Sequence, residues 1–210
     1  MRRGRAARAA LLAALALAGC KGDPAPASAE ATAELPGATP EEAAQLLAGE
    51  VLVTAEAPAS GAGVTVTARG LVEAPADRVF EVVKDCGRFA DFMPRTLSSQ
   101  RTEEPAGSIL CEVKIDLPFP MDDLTAITRS KIETGSDGTL TRRWALAGGD
   151  YLENKGHWSV RPLKTGQRAL LEYHLEVQPK SSVPDAVARQ AQKSALPEVF
   201  EAIRRRARRG

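Results

Sequence analysis

Aromatic side chains are few: two Trp, two Tyr and five Phe make up 4 % of 210 residues. A large apolar interior must therefore be filled mainly with aliphatic side chains, and the positions of the few rings become informative. Histidine is rarer still, with only His157 and His174. Each alternates with charged or polar neighbours and is expected on a wet strand face, so a metal centre of clustered imidazoles has no support; we expect no metal and no cofactor. There is no Gly-rich phosphate loop, no nucleophile elbow and no Cys-x-x-Cys pair, which removes the commonest nucleotide, acyl-transfer and dithiol chemistries. Asp122 and Asp123 are adjacent. A strand would send them to opposite faces, where they form no acid–base pair. Past the first twenty residues, no run is long enough without charge to cross a bilayer as a helix.

What is present begins with "MRRGRAARAALLAALALAGC". Arg2, Arg3, Arg5 and Arg8 precede an Ala/Leu run from Ala9 to Ala18, the pattern of a secretory leader too short to span a bilayer. Its end, Leu-Ala-Gly-Cys, is similar to a bacterial lipobox, which implies a signal peptide over 1–19 and acylation of Cys20 as the membrane anchor. Buried acyl methylenes contribute about 0.8 kcal/mol each, enough for stable attachment. The expected location is the bacterial cell envelope, facing the periplasm. Residues 20–44 are rich in Pro, Ala, Gly, Ser and Glu and are expected to form a disordered tether. The folded domain is then expected over 45–210, long enough for one core. Removing residues 1–19 takes away four arginines and no acid, so 28 basic residues become 24 against 27 acidic, net −3. Five of the remaining cations are Arg204, Arg205, Arg206, Arg208 and Arg209. They suit either a solvated helix end or anionic headgroups; a nucleic-acid partner is not expected for an exported chain. In that oxidising compartment Cys86 and Cys111 either pair or remain two buried or free thiols.

Periodicity predicts a short helix over 41–50, strands over 50–57 and 63–74, a helix over 74–85, and then a β-rich stretch. "SILCEVKIDL" places Ile109, Cys111, Val113, Ile115 and Leu117 on one face. Further strands are expected at 123–133, 139–147, 155–163 and 168–177, joined by turn residues. Residues 183–209 change to a helical period, opened by Pro184 and interrupted by Pro197, where a bend near 193–197 is expected. The class is α+β: an antiparallel sheet with one apolar face, covered by the last helix.

Three segments carry a resemblance: "GLVEAPADRVFEVVKDCGRFADFMP" (70–94), "LPFPMDDLTAITR" (117–129) and "VPDAVARQAQKSALPEVFEAIRRRAR" (183–208). In this order the chain resembles the helix-grip superfamily of START lipid-transfer domains, coenzyme-Q-binding proteins and polyketide cyclases. Asp123 stands where many relatives carry Arg. The resemblance implies a curved sheet wrapped around a long C-terminal helix, with short helices after the first strand and an internal cavity between. Phe89, Phe92 and Met93 would be gate or wall residues; Val113, Ile115, Trp144, Trp158 and Tyr173 would line the interior or fill its core. Arg142 shares the face of Trp144, where it would meet an anionic headgroup or reach the rim. The expected function is non-enzymatic: a lipid-anchored monomer that binds a lipid, quinone or polyketide-like molecule for transport or sequestration. The alternatives are a cyclase or hydrolase using the same cavity, and an envelope assembly protein with a filled interior.

Overall fold

The computed structural model describes residues 35–58, 62–117, 121–180 and 184–209; Cys20, the leader and most of the expected tether lie outside them. In chain order the elements are α1 (Pro40–Leu47), β1 (Val51–Glu56), β2 (Val64–Val72), α2 (Ala76–Lys84), a 3-10 turn (Cys86–Asp91), β3 (Thr96–Glu103), a second 3-10 turn (Pro105–Gly107), β4 (Ile109–Ile115), β5 (Leu124–Thr134), β6 (Leu140–Gly149), β7 (Tyr151–Pro162), β8 (Ala169–Pro179) and α3 (Asp185–Arg209). The strands form one antiparallel sheet in the order β1-β2-β8-β7-β6-β5-β4-β3. The sheet curves around the helices, as the expected α+β grip requires. Every member of the core clusters lies between Leu35 and Ala207.

The folded part starts earlier than expected. Residues 35–44 were assigned by composition to the tether, yet Leu35, Ala43 and Leu46 are buried. Thr39 and Glu42 form a reciprocal capping box: Thr39 Oγ1 accepts from the Glu42 amide at 3.2 Å, and the Glu42 carboxylate accepts from the Thr39 amide at 2.7 Å. Pro40 opens the helix where its missing N–H costs nothing. The apolar side of α1 covers the outward-facing Leu71 and Leu170, a directly opposed pair on β2 and β8, together with Leu163.

β3 has no counterpart among the segments that alternation picks out. It is an edge strand, six of whose eight residues are exposed, so no apolar period marks it. On the outer face, His157 and His174 are directly opposed and stacked, with ring centroids 5.3 Å apart. They are half-buried rather than exposed as expected, because each covers the other. Burial, the neighbouring Arg143 and then His174 hold the His157 imidazole below its usual pKa, against a smaller opposing pull from Glu133. The unfolded chain therefore takes up a proton near pH 6.5 that the folded chain resists, and stability falls as pH drops through that value. We expect a larger loss of melting temperature between pH 7.5 and pH 5.5 in the parent than in His157→Gln. Equal losses would show that His157 does not drive the acid sensitivity in this window. Carboxylates held low by partners, such as Glu104 and Glu176, act at lower pH.

α3 runs as one helix through Pro197. Leu196, Phe200, Ala202, Ile203 and Ala207 are buried, and no described side chain before Leu196 is. The helix rests on β1, β2 and α2, while α2 crosses β6, β7 and β8. Close contact with the sheet depends on Gly70: a Cβ there would lie 2.8 Å from Phe200 Cδ1.

Candidate functional site

The inward face of the sheet is made by residues of one parity on each strand. Cross-strand register lines up Val53, Ala68, Tyr173, Trp158 and Arg142 in a row from β1 to β6. Tyr173 lies over Trp158 at 4.3 Å between ring centroids and beside Trp144 at 6.0 Å. Trp158 meets Phe200 of α3 at 5.9 Å. Gly156 makes room for the Trp144 ring, since a Cβ there would lie 2.8 Å from Cζ2. The Trp144 indole N–H donates to Asn154 Oδ1 at 3.0 Å, and both residues are buried. Four of the few rings are thus gathered between the middle of the sheet and the last helix.

Arg142 is placed differently from expectation. It neither reaches the rim nor opens to solvent; only 3 % of it is exposed. Its Nε–H donates to Ser130 Oγ at 3.2 Å, Nη1 to the Val83 carbonyl at 3.3 Å, and Nη2 to Cys111 Sγ at 2.9 Å. The Ser130 hydroxyl in turn donates a hydrogen bond to the Ile109 carbonyl at 3.3 Å. Phe89 and Trp144 present their rings to the guanidinium, each centroid 5.7 Å away. Among the described residues no carboxylate comes within ion-pair distance. The cation is held instead by the negative end of α2, to which Val83 belongs, and by ring faces. Burial, then the nearby Arg101, lower its pKa to about 10, so it stays charged at neutral pH. Arg142 thus ties α2, the 3-10 turn, β4 and β5 to β6. Cys86 and Cys111 are joined by a disulfide, with Cα atoms 6.1 Å apart and both residues fully buried. The bridge fixes the 3-10 turn to β4 directly behind the guanidinium.

Further along the same face the apolar side chains are less deeply buried. Ile109 and Cys111 are buried, but Val113, Ile115 and Leu117, on the same side, are only half-buried. Leu146, Phe92, Met93 and Tyr173 are half-buried too, although all of them pack against the main core. Burial of much of the Tyr173 ring raises its phenol well above the usual range. These half-buried apolar side chains share the inward face of the sheet with the fully buried core. Phe92 stands edge-on to Phe89 at 6.1 Å and beneath the Arg206 guanidinium at 5.9 Å. Beside it, an open cleft of about 580 Å³ separates α2 from α3, with Arg78, Arg88 and Arg206 against Asp77, Glu81 and Asp85 on its walls.

The sequence-predicted residues therefore divide. Val113, Ile115, Tyr173, Phe92 and Met93 are half-buried; Trp144, Trp158 and Arg142 are buried; Phe89 is half-buried against Cys86, Ile109 and Cys111. Leu146, Asn154 and Phe200 were missed. Leu146 shares the parity of Arg142 and Trp144 and was readable. Asn154 was hidden by an irregularity between Tyr151 and Glu153 that breaks the alternation. Among the described residues no cluster of three or more His, Cys, Asp or Glu could hold a metal, and no helix is long and apolar enough to cross a membrane.

A family model described as "Polyketide cyclase / dehydrase and lipid transport" matches residues 72–204. Among solved structures, a STAR-related lipid transfer protein from Xanthomonas axonopodis superposes with a TM-score of 0.66 at 20 % identity, covering 76 % of this chain and 94 % of that one. Human StAR-related lipid transfer protein 5 gives 0.67 at 11 % identity over 76 % and 82 %. A START superfamily protein from Mycobacterium smegmatis gives 0.56 at 18 % identity over 69 % and 97 %. These likenesses establish the fold. No curated protein matches the sequence.

Proposed function

The chain belongs to the polyketide cyclase/dehydrase and lipid transport family, and from that premise we propose that it binds a hydrophobic ligand (a lipid, a quinone or a polyketide-like molecule) in the recess between the sheet and the first half of α3, for transport or sequestration. The observation that carries this reading is the set of inward apolar side chains left half-buried: Val113, Ile115, Leu117, Leu146, Phe92, Met93 and Tyr173. Ligand sites are mostly apolar with a few placed polar groups. Thr128, Asn154 and Tyr173 supply such groups on this face. Burial raises the Tyr173 phenol further above neutral pH, so it stays protonated and can donate a hydrogen bond to a ligand.

The test is native mass spectrometry of protein purified without denaturant, followed by extraction and identification of the bound molecule. Ile115→Glu keeps a half-buried position yet puts a charge into the recess. Losing the burial of one large aliphatic contact corresponds to about 1.5–3 kcal/mol, so affinity should fall about 10- to 100-fold. An apo mass with no uptake from a panel of lipids and quinones would sink the reading.

The same proposal places the domain on a membrane through acylated Cys20, in the envelope and facing the periplasm. Metabolic labelling with an alkyne fatty acid should mark the parent and leave Cys20→Ala unmarked. Equal labelling, or none in either, would remove the anchor from the account.

A further inference from the structure

α3 ends in Arg204, Arg205, Arg206, Ala207, Arg208 and Arg209. Two of these arginines have internal work. Arg204 donates to the Leu71 carbonyl at 2.8 Å and the Gly49 carbonyl at 3.0 Å, and pairs with Glu201. Arg206 covers Phe92. The other three, Arg205, Arg208 and Arg209, are exposed and have no ion-pair partner among the described residues. One or two cations suit the negative end of a helix. Five do not: Arg204 and Arg208, Arg205 and Arg208, Arg205 and Arg209, and Arg206 and Arg209 stand three or four apart, where like charges repel. Arg209 shares the cleft between α2 and α3 with Asp77, Glu81 and Asp85, but among the described residues no ion pair offsets the repulsion at Arg205 and Arg208.

The position of this basic end says what could. Through Arg204 it is fastened beside Gly49, just after α1, and Leu35, where the described chain begins, packs against α1 and Leu71. The segment from Cys20 therefore joins the domain at the end where the arginines project. Fourteen residues lie between Cys20 and Leu35, so the two are at most about 50 Å apart. Resting on the proposal that Cys20 is acylated, we infer that Arg205, Arg208 and Arg209 dock this end of the domain on an anionic bilayer. The lipid anchor supplies proximity; the arginines supply orientation. With that end down, the cleft holding Arg206 and Phe92 stands next to the headgroups. A lipid or quinone leaving the bilayer then meets a path between α2 and α3.

The experiment uses the chain from Lys21 onward, which keeps every described residue and lacks both the basic leader and Cys20. Flotation with vesicles of phosphatidylcholine containing 30 % phosphatidylglycerol is compared with pure phosphatidylcholine, at low and at high salt. The expected result is binding to the anionic vesicles alone, weakened by salt. The variant R205Q/R208Q should bind them about 30-fold less tightly, as expected for two arginines near such a surface, with an unchanged melting curve. Equal binding to both vesicle types, or full binding by the variant, overturns the inference. Uptake of a fluorescent phosphatidylcholine and of a short-chain ubiquinone in vesicle-free solution is measured on the same samples. Normal uptake without vesicle binding defeats the docking surface and leaves the cavity reading standing. Arginine-dependent vesicle binding without uptake does the reverse.

Discussion

Phe200→Ala is expected to lower stability by about 3–5 kcal/mol, the range for truncating a fully buried ring. Phe200 has no exposed surface and sits against Trp158 on one side and the bare backbone of Gly70 on the other. That contact lets α3 approach the sheet closely enough for Leu196, Ile203 and Ala207 to be buried around it. No described side chain of α3 before Leu196 is fully buried, so the helix is held mainly by its later turns. For a domain of this size each kcal/mol moves the melting temperature by about 2–4 °C, and a drop of roughly 10–15 °C should follow. Ligand should also leave faster, because the wall of the recess has lost its pivot. The paired measurements are a thermal melt and the exchange rate of a bound fluorescent lipid. A melting shift below about 2 °C would mean that α3 is not anchored through this ring.

Loss of the Cys86–Cys111 bridge is the second large effect. The cysteines are 25 residues apart, and the chain-entropy model gives about 3.5 kcal/mol for a loop of that length. C86S/C111S should therefore melt about 10 °C below the parent. The chemistry around the bridge makes a finer test available. Cys111 Sγ accepts a hydrogen bond from the buried Arg142 guanidinium. A serine hydroxyl can still accept it, whereas C86A/C111A leaves Nη2 without that partner, at a further cost of about 1–3 kcal/mol. If the alanine pair is as stable as the serine pair, the Arg142 contact is energetically empty. If the serine pair melts with the parent, the bridge does not constrain the unfolded chain. Functionally, the bridge holds the 3-10 turn that presents Phe89 and Phe92, so its loss should also speed ligand exchange.

Local patterning made much of this architecture legible. Strict alternation in β4 and β8 fixed which side chains face inward, and it identified Ile109, Cys111, Val113 and Ile115, and Ala169, Leu171, Tyr173 and Leu175, correctly as one face. The change to a helical period at 183–209 identified the covering helix. Strand parity is local: each Cβ direction follows from its neighbours in the chain. β3 escaped because an exposed edge strand has no buried face to mark it, and residues 35–44, with the start of the helix expected over 41–50, were placed in the tether because average composition outweighed the Thr39–Glu42 capping signal.

The candidate site was legible as a set of residue types but not as an arrangement. The sequence by itself determined the class, the inward faces and the few rings that had to lie on them, because these follow from composition and short-range period. Only the tertiary structure decided that Arg142 is buried against the end of α2 and two rings rather than at the rim. The same holds for the division of the inward residues, with Trp144 and Trp158 closed off while Val113, Ile115 and Tyr173 stay half-open. Each outcome depends on where α2 and α3 come to rest on the sheet, and that depends on Gly70, Phe200 and a bridge between residues far apart in the chain. No local window contains those contacts.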